Sequence, residues 1–117
     1  MVKFELCPRY ELAIALLGKR WTGLIIKVLF SGPQRFTDLV EVIPNLSAKM
    51  LTERMKELEK EGIVLRKVYP ETPVKIEYVL TPKGRELAPA LEAIQSWATK
   101  WIKLPSASEP GQEDGKA

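Results

Sequence analysis

Ile43-Pro44-Asn45-Leu46-Ser47-Ala48-Lys49-Met50-Leu51-Thr52 places a sharp break directly before a fresh helix start. Proline fixes φ and asparagine tolerates the left-handed region, so Pro44-Asn45 reads as a tight turn. Ser47 is a good N-cap, because its hydroxyl accepts a bond from a free amide in the first turn. Beyond it Ala48, Leu51, Met55 and Leu58 recur at helical spacing, which predicts a helix over 48–61 stopped by Gly62. Just upstream, Phe36, Leu39, Val40 and Ile43 mark one face of a short helix starting at Arg35 or Phe36. A short helix, a tight turn and a capped helix are the parts of a helix-turn-helix unit.

The flanks extend that reading. Cys7-Pro8 opens a first helix, since proline suits the first helical position, and Leu12, Ala15 and Leu16 follow at helical spacing until Gly18. A second helix is expected over 20–31, its apolar stripe being Trp21, Leu24, Ile25, Val28 and Leu29, with Ser31-Gly32-Pro33 ending it. After Gly62 the period becomes two. Stretches 63–69 and 75–81 read as strands, with Val74, Ile76, Tyr78 and Leu80 on one face and Lys75 and Glu77 on the other. Pro70-Glu71-Thr72-Pro73 separates them, and Thr81-Pro82 opens a last helix expected to run to about residue 103. The expected fold is mainly α with a small β-hairpin (α+β): a winged helix-turn-helix. The domain spans 1–103. Segment 104–117, rich in Pro, Ser and Gly with few apolar residues, is expected to be a disordered tail.

Composition bounds the function. With 45% apolar and 28% charged residues, the 117-residue chain suits one globular domain. No apolar run reaches the roughly 18 residues a membrane span needs, and nothing resembles a secretory leader. One cysteine makes no intramolecular disulfide, so the expected location is cytoplasmic, with no membrane partner. The net charge of +3 understates the body, because Glu109, Glu113 and Asp114 outweigh Lys116 in the tail. That bias suits a polyanion and suits an ordinary solvated surface as well. The chain has no histidine, which removes the commonest general base and metal ligand, and it has no glycine-rich phosphate loop. Neither an enzyme, nor a metal, nor a cofactor is expected.

Three constellations remain. The outward side of the 48–61 helix offers Lys49, Thr52, Glu53 and Lys56 beside the cap Ser47, with Met50 in the same turn. A helix fits the major groove of double-stranded DNA, where each base pair shows its own donor and acceptor pattern. Lysines reach guanine edges or phosphates, threonine a thymine methyl, and glutamate a cytosine amino group. The bland alternative is a solvated face laced by Glu53–Lys56 and Glu57–Lys60 pairs. Arg35 at the short helix, Arg66, Lys67 and Lys75 on the hairpin, and Pro73 at its tip are the expected backbone-positioning set. Pro70 and Pro73 also blunt the hairpin tip against edge pairing.

Along the last helix, Leu87, Leu91, Ile94, Ala98 and Trp101 step by alternating fours and threes, with Trp97 on the flank. Two tryptophans are more than so small a core needs, which points to a homodimer seam. Cys7 has two readings. A helix start near Lys3 and Arg9 is a setting that makes a thiol reactive, and a free cysteine is as often a small buried apolar residue. A winged helix that binds only protein is the rival from another class.

Cys7-Pro8, Leu17-Gly18-Lys19-Arg20-Trp21-Thr22, Gly32-Pro33-Gln34-Arg35-Phe36 and the 43–52 stretch, in that order, resemble the HxlR-type winged-helix regulators, relatives of the MarR regulators. Leu58-Glu59-Lys60-Glu61-Gly62-Ile63-Val64, the 69–78 hairpin and Leu80-Thr81-Pro82-Lys83-Gly84 continue the likeness, which covers about 7–101. The likeness is strongest to the thiol-based repressors that sense quinones and diamide. It implies a homodimer joined through the first helix, including Leu12, and the last; a recognition helix over 47–61; a wing around 70–75; and Cys7 as the sensing thiol. Some relatives carry partner cysteines near the C-terminus, and this chain has none. A modified Cys7 would therefore bond to Cys7 of the partner subunit, to a small thiol, or to an electrophile. Regulators of this type without redox sensing keep the alternative open.

Overall fold

The computed structural model describes residues 5–105, so the tail expected over 104–117 lies largely outside the described residues. Helices α1 (Pro8–Leu17), α2 (Thr22–Leu29), α3 (Phe36–Val42) and α4 (Ala48–Lys60) lead into strands β1 (Val64–Tyr69) and β2 (Lys75–Leu80). A one-turn α5 (Pro82–Arg85) and then α6 (Ala88–Trp101) complete the chain. The winged helix-turn-helix expected from sequence is the fold observed.

The turn between α3 and α4 forms as its residues dictate. Asn45 takes φ 67°, a left-handed conformation that asparagine tolerates. The Ser47 hydroxyl accepts from the Met50 amide at 3.1 Å. At the other end of α4, Gly62 takes φ 75°, and the amides of Gly62 and Ile63 bond back to the carbonyls of Glu59 and Leu58. That double closure satisfies carbonyls the helix leaves free.

The core gathers Ile25, Ile26 and Leu29 of α2, Leu39 of α3, Leu51, Met55 and Leu58 of α4, and Tyr78 and Leu80 of β2. Two stripe assignments shift. Trp21 sits at φ 80° as the N-cap of α2, outside the helix, and along α2 Ile26 is buried while Leu24 is exposed. Ala48, in the first turn of α4, is exposed as well.

The wing is an antiparallel ladder running from Val64↔Leu80 to Tyr69↔Lys75. Gln34 adds a bridge that the alternation did not reveal, its amide and carbonyl exchanging bonds of 3.0 and 2.8 Å with Tyr78. This bridge fastens the wing to the entry of α3. The last helix is not continuous to residue 103 as expected. It breaks at Glu86-Leu87, because Pro89 lacks the amide that would bond to Arg85, and its ring crowds that carbonyl. Thr81 caps α5 by accepting from the Gly84 amide at 3.1 Å, while Pro89 near its start frees α6 to take a new direction.

Candidate nucleic-acid interface

The two sides of α4 differ in character. Leu51, Met55 and Leu58 are buried beneath it, and Lys49, Thr52, Glu53 and Lys56 are exposed on the opposite side. Thr52 Oγ1 donates to the Ala48 carbonyl at 2.9 Å, which leaves its methyl and its oxygen lone pairs outward. Among the described residues, Lys49 and Lys56 take part in no salt bridge. The solvated-pair alternative therefore does not describe this face, which presents its cations free. Met50 is half-buried and packs on the core, so of the expected set it has the least surface to offer. Ser47 is exposed, but its hydroxyl already caps the helix.

Arg35 precedes α3 with its side chain exposed, and its amide donates to the Asp38 carboxylate at 2.8 Å. The carboxylate thus occupies the N-cap amide, as in a capping box, while the Arg35 side chain stays exposed. On the wing, Arg66 lies opposite Tyr78 in mid-ladder, and Lys75 lies opposite Tyr69 at the last pair before the tip. Side chains alternate along a strand, so Arg66 and Lys75 stand on opposite faces of the hairpin rather than together at its tip. Lys75 also bridges to Glu77 at 3.4 Å and lies 5.3 Å from the Tyr69 ring centre. Pro73 is exposed at the tip.

A third feature has no signal in the sequence. Glu57 does not pair with Lys60. It accepts from Lys19 Nζ at 2.9 Å and faces Arg54 Nη1 at 3.5 Å, while Arg54 Nε donates to the Arg20 carbonyl at 2.9 Å. The Lys19 hydrogen bond, aided by the charges of Lys19 and Arg54, outweighs partial desolvation and holds the Glu57 carboxyl below the usual carboxylate range. The pair is therefore intact above that range and is lost as pH falls through the lowered value. Lys19 and Glu57 are 38 residues apart, so no local periodicity links them.

The expected dimer residues fall into two groups. Leu87 and Leu91 are half-buried against the core of their own chain. Leu12, Ile94, Trp97 and Trp101 are exposed, at 71%, 57%, 59% and 62%. Helix α1 contributes no buried residue, and only Leu16 and Leu17 at its end are half-buried. An open groove of about 630 Å³ separates α1 from the foot of α6, walled by Leu12, Leu16, Leu17, Ile63 and Leu87. Cys7 is exposed at the N-cap of α1, directly before Pro8.

A capped helix with free cations outward, braced by two helices and followed by a hairpin, defines a winged helix-turn-helix DNA-binding regulator. The family model of HxlR-like helix-turn-helix proteins matches residues 16–106, and the chain belongs to that family. YvaP of Bacillus subtilis (strain 168), an uncharacterized HTH-type transcriptional regulator, is 55% identical over 102 residues, which cover 87% of this chain and 94% of YvaP. The HTH-type transcriptional regulator YodB of the same organism is 54% identical over 98 residues, covering 84% of this chain and 88% of YodB. The reduced form of YodB superposes with a TM-score of 0.77 at 51% identity, covering 92% of this chain and all of that one. YodB has also been solved diamide-treated and quinone-bound. This chain is accordingly a transcriptional regulator of the HxlR type.

Proposed function

We propose that the protein is a homodimeric repressor that binds a pseudo-palindromic DNA operator, and that Cys7 is the thiol whose modification releases it. The observation that carries the DNA reading is the outward face of α4, with Lys49, Thr52, Glu53 and Lys56 exposed and both lysines unpaired among the described residues. Ser47 and Met50 complete the entering turn. Arg35, Arg66 and Lys75 supply phosphate contacts, and Pro73 stiffens the wing tip. Changing Lys49 or Arg35 to Ala is expected to weaken duplex binding about tenfold and to flatten the dependence on salt by about one ion per lost contact. Fluorescence anisotropy across a salt series reads both quantities. Unchanged affinity and slope in both variants would sink the assignment.

The homodimer reading rests on α1. Isolated helices shorter than about 12 residues are marginal in water, and α1 has 10 residues with none buried in its own chain. A second copy that packs on Leu12, Ile94, Trp97 and Trp101, and enters the groove beside Leu87, supplies the missing contact.

The sensor reading rests on position. Cys7 stands exposed at the start of that same helix, and the similar protein YodB has been solved diamide-treated and quinone-bound. Modification of Cys7 by a quinone, by a small thiol or by Cys7 of the partner subunit would displace α1 and with it the spacing of the two recognition helices. Treatment with diamide or a quinone is expected to lower duplex affinity of the wild type at least about tenfold, a change of about 1.4 kcal/mol, and to leave Cys7→Ser unaffected. Equal loss in both proteins, or loss in neither, removes Cys7 from the switch.

A further inference from the structure

The elbow between α1 and α2 is tied to α4 by side chains rather than by core packing alone. Gly18 ends α1, and Trp21 is held at φ 80° with the Arg20 guanidinium 4.4 Å from its ring centre. A left-handed, non-glycine residue persists only where its surroundings enforce it. The two residues before Trp21 are held from α4. Arg54, its side chain only 14% exposed, donates to the Arg20 carbonyl at 2.9 Å, and Glu57 takes Lys19 at 2.9 Å. Arg54 and Glu57 are themselves joined at 3.5 Å, Arg54 next to Glu53 and Glu57 one helical turn further on. The elbow is thus fastened at two successive residues to the helix that carries the exposed cations.

We infer that Lys19, Arg54 and Glu57 are positioning residues that fix the angle of α4 against α1, so that the fit of α4 to a duplex depends on how α1 is seated. The role rests on the reading of α4 as the recognition helix. Partly exposed ion pairs contribute little to stability, so the network is poorly placed to hold the fold together. It is well placed to set an orientation, because it joins the helix that bears Cys7 and the unpartnered apolar face to the helix that bears Lys49 and Lys56. None of the three residues needs to touch DNA.

The test uses the full chain with two probes of equal length: a duplex that the wild type selects from a random-sequence pool, and a mixed-sequence duplex. Lys19→Ala and Glu57→Gln are each expected to lose about fivefold on the selected duplex, and the double variant the same fivefold rather than the product, as residues of one network do. Affinity for the mixed duplex and the salt slope should stay at wild-type values, because those follow phosphate contacts. Thermal unfolding checks that both variants remain folded. Two outcomes overturn the inference. Losses that multiply would mean that Lys19 and Glu57 act independently. A Lys19→Ala variant that weakens both duplexes and flattens the salt slope, beside an unaffected Glu57→Gln, would make Lys19 a direct phosphate contact. A wild type that selects no duplex at all defeats the recognition-helix reading itself, and is seen before any variant is made.

Discussion

Replacing Trp97 and Trp101 together by glutamate is expected to give a monomer and to weaken operator binding by about a hundredfold or more. Both rings are well over half exposed, and each can bury roughly 150–250 Å² when covered. With Ile94 they line one side of α6, three and four residues apart, and stand exposed there, as Leu12 does on α1. Two carboxylates in that face would have to be desolvated without partners, which outweighs what the remaining contacts return. A palindromic site engages two α4 helices at once, and once they are unlinked the second contact loses its high effective concentration. Helix α1 should fray as well, since only Leu16 and Leu17 at its end are half-buried in its own chain, so far-UV dichroism should fall while the core from α2 to β2 persists. Sedimentation equilibrium and anisotropy on the same samples read the two effects. A monomeric double variant with wild-type affinity would show that one copy suffices.

The second large effect concerns Gly84, buried where α5 passes the end of α4. A Cβ there would lie 2.4 Å from the Ile63 carbonyl oxygen and 3.1 Å from side-chain carbons of Ile63 and Leu80. The nearest atom is backbone, and the Thr81 amide already bonds to the same oxygen at 3.0 Å, so it cannot swing aside without breaking the base of the wing. Overpacking of this kind costs about 3 kcal/mol. For a chain near 100 residues that is a fall in Tm of about 12 °C or more. Gly23 is the internal control. A Cβ on Gly23 would meet nothing within 4 Å and its φ is ordinary, so Gly23→Ala in α2 should be neutral or stabilising by up to about 1 kcal/mol. Equal Tm values for the two variants would contradict the packing described here.

The helix-turn-helix was legible because its signals are local. Ser47 caps over three residues, Asn45 and Gly62 take left-handed turns that their types favour, and Leu51, Met55 and Leu58 keep a strict period. The departures share a cause in single residues that override a pattern. Pro89 splits α5 from α6, and Trp21, left-handed at the N-cap, falls outside the α2 stripe that the spacing assigned it. The Gln34–Tyr78 bridge and the Lys19–Glu57 pair join residues far apart in the chain, and no period announces such contacts. Exposure of Lys49, Thr52, Glu53 and Lys56 followed directly from the apolar stripe opposite them. The placement of Arg66 and Lys75 on different faces of the wing needed the register of the ladder.

The most direct test of the proposed homodimer is the distance between its two α4 helices in the free protein. A Cys7→Ser, Thr52→Cys variant carries one nitroxide label per chain on the outward side of α4, and pulsed dipolar spectroscopy measures the separation between copies. Two helices set for successive major grooves should give a distribution centred near roughly 34 Å, one turn of duplex. Absence of any dipolar signal between copies, or a separation below about 20 Å, would mean that the two α4 faces cannot address a common duplex.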